Sequence, residues 1–349
     1  MKLTNSYIPA LAAGLALMAA ASSCDHKGLC FDHDTHALRA RTRLDVSYNL
    51  QWEAAPDGSP SWRDRWPASY GMTYQSLLPA VPQGVCVNAY PEEGKAVTTH
   101  LPAAGGEAEM VAGRNSLLFY NDDTEYIIFD DVNNSVSAKA TTRTRSRSSY
   151  AGNPLYTSRT EGDERTVTPP DPLFGHYMPQ YDQQRLTEIP TLSVTLQPLV
   201  FSYLVRYEFD RGVEHVGVAR GALAGMAESV YLHDGHTGTE HATILYDCTV
   251  EPWGIQAVVN SFGVPDYPNP DYTRAAPGSY ALNLEVRLRN GRILTFNFDI
   301  TEQMKSQPHG GVIVVDGIEI PDDEADQSGS GFDVSIDSWG EYEDIMITL

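Results

Sequence analysis

Residues 281–300 read ALNLEVRLRNGRILTFNFDI, and this stretch decides the fold class. Leu282, Leu284, Val286 and Leu288 alternate with Asn283, Glu285, Arg287 and Arg289. After Asn290-Gly291 the alternation resumes through Leu294, Phe296, Phe298 and Ile300. A period of two is that of a strand with one face buried and one wet. Asn-Gly between two such runs predicts a hairpin with a type I′ turn, in which both central residues take φ > 0.

Working outward, the same pattern recurs. Val312–Val315, Asp316-Gly317 and Ile318–Ile320 predict a second tight hairpin, and Phe332–Trp339 and Asp344–Leu349 predict closing strands. Upstream, Thr191–Gln197, Leu199–Phe209, Ala242–Val250 and Gly254–Phe262 are strands. Arg220–Tyr231 (RGALAGMAESVY) is rich in Ala, Gly and Met and reads as a helical turn packed on the sheet. Further upstream come Thr42–Leu50, Val85–Tyr90, Ser116–Tyr120, Glu125–Phe129 and Ser135–Ala140. Turn chemistry such as Gly105-Gly106 and Asn133-Asn134 divides them. Strands at this spacing build an all-β chain of antiparallel sandwich type.

Composition breaks once. Thr141–Asp171 is rich in Ser, Thr, Pro and Gly and carries Arg143, Arg145, Arg147, Arg159 and Arg165, the pattern of an exposed loop or linker. The expected organisation is therefore a signal peptide over 1–23, a stalk over 24–40 and a β-sandwich domain over 41–140. A loop and linker over 141–190 and a second β-sandwich domain over 191–349 complete it. The chain opens with Lys2, an apolar run from Ile8 to Ala21, and then Ser22-Ser23-Cys24. A run of about 14 apolar residues is short of the roughly 20 needed to span a bilayer, so it reads as an export signal. Small residues directly before Cys24 resemble a lipobox, although Ala21 stands where Leu is usual. Cys24 is the candidate lipidation residue, and an ordinary signal with Cys24 left as a thiol is the alternative.

With 46 Asp and Glu against 24 Lys and Arg the formal charge is −22, which disfavours nucleic acid and anionic headgroups as partners. Membrane attachment is then expected through lipid on Cys24. Cys86 and Cys248 lie in apolar strand-like runs and read as buried free thiols; no disulfide is assigned. No nucleophile elbow, HExxH, P-loop or dinucleotide fingerprint occurs. His233, Asp234, His236, Glu240 and His241 crowd one Gly- and Thr-rich loop and read as a solvated turn. Asp322, Asp323, Glu324 and Asp326 lack EF-hand spacing and read as an acidic loop. No catalytic residue, metal ligand or cofactor is expected, and the chain reads as a non-enzyme. Trp52, Trp62 and Trp66 fall in a turn-rich segment, where they can form a glycan-stacking platform or fold over a sandwich edge.

Several of these elements together resemble the fimbrillin-type lipoproteins of Bacteroides-like bacteria. They are Ser22-Ser23-Cys24, the strand Arg43–Leu50, Pro169-Pro170-Asp171 between two β-rich halves, Ala222–Val230, Gly317–Pro321 and Gly331–Trp339. The resemblance implies two tandem transthyretin-like Greek-key sandwiches and partners that are fimbrial or other surface subunits, engaged by β-strand addition. In polymerising members a protease cut after an Arg frees the N-terminal strand. Here Arg39, Arg41 and Arg43 are placed ahead of the first strand, which points to an anchor or accessory subunit that keeps its lipid at the outer membrane. The alternative function is a glycan-binding surface lipoprotein that uses Trp52, Trp62 and Trp66.

Overall fold

The computed structural model describes residues 39–55, 61–145, 164–184, 188–269 and 280–323. The export signal, Cys24, Cys30, most of the stalk, the centre of the Arg-rich loop, Glu324, Asp326 and both predicted closing strands lie outside the described residues. The described residues from Ala40 onward form one compact unit.

The first layers are built by β1 (Arg39–Tyr48), β2 (Gly84–Pro91), β3 (Val97–Pro102), β4 (Gly105–Val111), β5 (Gly113–Tyr120), β9 (Phe174–Gln183) and β10 (Thr191–Pro198). They form one seven-stranded sheet in the order β3-β2-β5-β9-β10-β1-β4. Only two residue pairs, Gln197↔Gly175 and Pro198↔Phe174, join β9 to β10. The sheet therefore folds there into two layers. Leu44, Val46, Val87, Met110, Leu117, Phe119 and Leu196 fill the space between them. Gly105 turns the chain from one layer into the other: it has φ 95°, and a Cβ there would lie 2.2 Å from the Leu44 carbonyl oxygen. β1 and β10 run parallel, Arg43↔Thr191 through Tyr48↔Leu196. The antiparallel expectation misses this pair because parallel partners are joined only through distant chain.

The second sheet has eight strands. β11 (Phe201–Arg211), β12 (Val216–Ala227), β14 (His241–Glu251), β15 (Gly254–Ser261), β16 (Ala281–Leu288), β17 (Ile293–Asp299) and β18 (Gly311–Glu319) follow the order β17-β16-β12-β14-β15-β11-β18, and β8 (Arg165–Val167) adds to β14. Its core takes one face of each strand, including Tyr203, Tyr207, Leu223, Ile244, Ile255, Leu284 and Ile313. Between the two sheets lies a small third one, β13 (Ser229–Tyr231), β7 (Lys139–Thr142) and β6 (Ile127–Asp130). It packs with Leu118, Leu173, Leu199 and Phe262. The all-β class read from the sequence holds.

Several local expectations change. The 281–300 hairpin forms as β16–β17, but Asn290 keeps a negative φ while Gly291 takes 87°. The Gly291 N–H bonds to the Leu288 carbonyl, and Leu288 pairs with Arg292. The connection is thus a longer loop with a left-handed glycine in place of a type I′ turn. The predicted wet face of β16 is also buried at Asn283 and Glu285. There Glu285 Oε1 pairs with Arg220, its cross-strand neighbour, at 2.7 Å.

Arg220–Tyr231 is strand rather than helical turn. Gly221 makes room for its cross-strand partner on β14, since a Cβ there would stand 2.3 Å from the Tyr246 ring. The predicted hairpin at Asp316-Gly317 is one continuous strand, β18, whose pairing with β11 slips between Tyr207 and Arg211. Gly317 (φ 72°) absorbs a bulge there instead of reversing the chain. Two pieces of the Arg-rich stretch are ordered strand, β8 and the end of β7, and Arg145 is buried with its guanidinium on the Leu245 carbonyl at 2.9 Å.

Candidate functional site

Three places carry the features that matter for a surface subunit: the arginine strand, the tryptophan segment and the rims of the second sheet. The arginines come first. Arg39, Arg41 and Arg43 do not precede the first strand; they are part of β1. The alternation of the strand sends Thr42, Leu44 and Val46 inward and the arginine side chains out. Arg41 and Arg43 reach Glu107 on β4 at 3.2 and 3.4 Å. β1 is held between β10 and β4. Sequence alone places the strand start too late because three arginines interrupt its hydropathy while leaving its period of two intact.

The tryptophans lie on a strap that leaves β1, crosses to the outer face of β11 and β18, and returns to β2. Trp52 is fully buried and packs with Tyr74, Leu77, Leu204 and Val312. It leaves no face on which a sugar ring could stack. Trp66 stands edge-on to Trp52, Tyr70 and Tyr74 at centroid distances of 5.9, 5.3 and 5.8 Å. Its indole N–H donates to the Met72 carbonyl at 2.8 Å. Trp62 opens the short helix α1 (Trp62–Arg65) and donates to Gln307 Oε1 at 2.9 Å, while the Arg65 guanidinium covers its ring at 4.0 Å. The Arg206 guanidinium lies over Tyr70 at 4.4 Å and over Trp253 at 3.7 Å. Glu53, buried below, accepts from the Ser61 hydroxyl at 2.7 Å and the Tyr74 hydroxyl at 3.1 Å. Burial and that carboxylate push the Tyr74 phenol up to about 12. The arrangement brings the three tryptophans together as packing that ties the strap to the second sheet. A cavity of about 290 Å³ remains beneath it, lined by Trp52, Leu77, Pro172, Val200 and Asn260 among others.

The rims of the second sheet differ. At β18 two glutamines from the short helix α2 (Thr301–Met304) and the turn after it imitate a neighbouring strand. Gln307 Nε2 donates to the Val312 carbonyl at 2.9 Å, and its Oε1 accepts from the Val312 N–H at 2.8 Å. Gln303 treats Val314 the same way, at 2.8 and 3.0 Å. A primary amide offers the donor and acceptor of a peptide group, so these two side chains close the edge. At the other rim, β17 pairs only with β16 among the described residues. Leu294, Phe296 and Phe298 face the core while Ile293, Thr295, Asn297 and Asp299 alternate outward. The i, i+4 spacing of Gln303 and Gln307 before an apolar run is the sequence signal for the closed rim.

The histidine loop does not converge. His236 pairs with Asp266 at 3.1 Å and His233 with Asp234 at 3.1 Å. Cys86 is a buried free thiol and Cys248 a partly buried one. Among the described residues no helix is long and apolar enough to cross a membrane.

Residues 75–247 match a family described as a domain of unknown function, DUF5119. The match runs from the strap into β14 and so includes strands of all three sheets. A Bacteroides ovatus protein provisionally named fimbrium anchoring subunit Fim4B is 23% identical over 311 residues, covering 80% of this chain and 88% of the relative. The chain is similar in sequence to this fimbrial-type protein. A crystal structure of a protein from Bacteroides ovatus, provisionally described as an adhesin, superposes with a TM-score of 0.53 at 18% identity, covering 83% of this chain and 97% of that one. It has the same fold. The fimbrial anchor protein Mfa2 of Porphyromonas gingivalis aligns at a TM-score of 0.41 and 10% identity over 79% of this chain and 91% of that one.

Proposed function

We propose that this chain is a lipid-anchored fimbrial-type protein of the cell surface, an anchor or accessory subunit rather than a polymerising stalk subunit. The observation that carries this reading is the seat of Arg39, Arg41 and Arg43 in a strand flanked on both sides. Proteases cleave segments that can leave the fold, and β1 would have to be stripped from β10 and β4 first. A strand held this way stays with the chain, and with it the connection to Cys24. Lipid on Cys24 then holds the protein at the outer membrane, and strand addition along β17 engages the neighbouring subunit. The role is binding rather than catalysis.

An arginine-specific protease applied to the native full chain tests this. The expected result is cutting elsewhere with β1 intact, together with lipid label on the unaltered protein that is lost in Cys24→Ala. Release of an N-terminal peptide ending at Arg39, Arg41 or Arg43, followed by oligomer ladders, would instead identify a polymerising subunit.

A further inference from the structure

Cys86 lies in the middle of β2, where its antiparallel partners are His100 on β3 and Tyr120 on β5. Three neighbouring strands thus present side chains at one level, and Asp122 follows Tyr120 by two residues. One donor atom each of Cys86, His100 and Asp122 lies within 4.8 Å of the others. His100 Nδ1 and Asp122 Oδ2 are in direct contact.

The positions are built rather than incidental. Asn121 donates to the Pro172 carbonyl at 3.1 Å and to Asp123 Oδ1 at 3.0 Å, and accepts from the Phe174 N–H at 2.7 Å. Asp123 in turn accepts from the Gln83 N–H at 2.6 Å. Asp122 is therefore gripped on both sides. Gly84 leaves room for its carboxylate, since a Cβ there would stand 2.9 Å from Asp122 Oδ1.

We propose that Cys86, His100 and Asp122 form a site for a divalent cation of the zinc class, with water in the fourth position. A thiolate, an imidazole and a carboxylate make a borderline-soft donor set that suits Zn²⁺ and not Ca²⁺ or Mg²⁺. Bonds of about 2.3 Å to sulfur and about 2.0–2.2 Å to nitrogen and oxygen put tetrahedral ligand atoms about 3.4–3.6 Å apart. Reaching that spacing asks His100, whose side chain is 67% exposed, to turn away from Asp122 so that a cation takes the place of their direct contact. Burial pushes the Cys86 thiol up to about 11, and it donates to Asn88 Oδ1 at 3.7 Å. With a cation bound, the outermost strand β3 is stapled to β2 and to the end of β5.

Cobalt titration of the reduced full chain tests the site, with Zn²⁺ as competitor. The expected result is one cation per chain and a thiolate-to-cobalt charge-transfer band. That band disappears in Cys86→Ala and survives in Cys248→Ser. His100→Ala, at an exposed position that leaves the fold intact, lowers Zn²⁺ affinity by roughly 10- to 100-fold or more. Gly84→Ala, which displaces the Asp122 carboxylate, weakens it in the same direction. A band that persists in Cys86→Ala, no band in the unaltered protein, or unchanged affinity in His100→Ala would overturn the proposal.

Discussion

The two rims of the second sheet face the same physical problem and meet it differently. At β18 the amides of Gln303 and Gln307 fill the hydrogen-bond positions of a missing strand, and the strap closes over them. At β17 the outward residues are Ile293, Thr295, Asn297 and Asp299, and pairing among the described residues is with β16 alone. An edge strand is a template for another chain unless something covers it. The comparison teaches that a rim can be shut with two side chains, and that among the described residues the fold uses that device at β18.

The largest expected effect comes from breaking the sealed rim. Gln307→Ala removes two bonds to Val312 and the acceptor for Trp62, leaving buried backbone groups unpaired at a cost of about 2–4 kcal/mol. Urea unfolding checks it. Adding Gln303→Ala should expose β18 and produce self-association in sedimentation velocity. A double variant that stays monomeric and as stable as the parent would falsify the sealing account.

Acid should loosen the same rim. His309, whose carbonyl accepts from the Ala54 N–H at 2.8 Å, stacks on Phe201 at 4.3 Å and meets Tyr267 edge-on at 4.5 Å. Burial lowers its imidazole to about 3, well under the ordinary 6.5. The unfolded chain then takes up a proton that the folded one does not. Stability should be full above pH 6.5 and fall toward pH 3 by up to about 1.4 kcal/mol per pH unit, or about 2 kcal/mol at pH 5. His309→Phe should flatten that slope in thermal melts, and an unchanged slope would remove His309 as its source.

The β17 rim, as the proposed site of strand addition, predicts the opposite pattern, a large effect on binding with a small one on stability. Thr295→Lys on β17 should alter folding by less than about 0.5 kcal/mol yet block capture of a partner strand, read by pull-down of fimbrial subunits. Equal capture would move the interface elsewhere. Smallest of all is the change at β1. Arg41→Gln with Arg43→Gln breaks exposed pairs to Glu107 worth at most about 1 kcal/mol, and the melting temperature should hardly move.

How much was legible in advance differs from element to element. The Leu282–Leu288 and Leu294–Ile300 alternation was enough for the hairpin, because the period of a strand is written in consecutive residues. Its turn was misjudged, since Asn-Gly also suits a longer loop in which only the glycine takes positive φ. β12 was hidden because Ala and Gly blur a hydropathy period, and their reason for being there, room for the Tyr246 ring, lies on another strand. The tryptophan segment could be recognised as important, but whether its rings faced a sugar or a sheet depended on Leu204 and Val312, more than a hundred residues away.

By itself, then, the sequence determined the all-β class, the main hairpin, the acidic surface and the resemblance to fimbrillin-type proteins. These rest on local period, composition and short matching elements. Only the tertiary structure decided that the arginines ride in an interior strand, that two glutamines finish one rim, and that Cys86, His100 and Asp122 come within 4.8 Å of one another. Those outcomes depend on which distant strands become neighbours and in what register. A sheet sets that register by packing its buried faces together, and no stretch of the chain carries it alone.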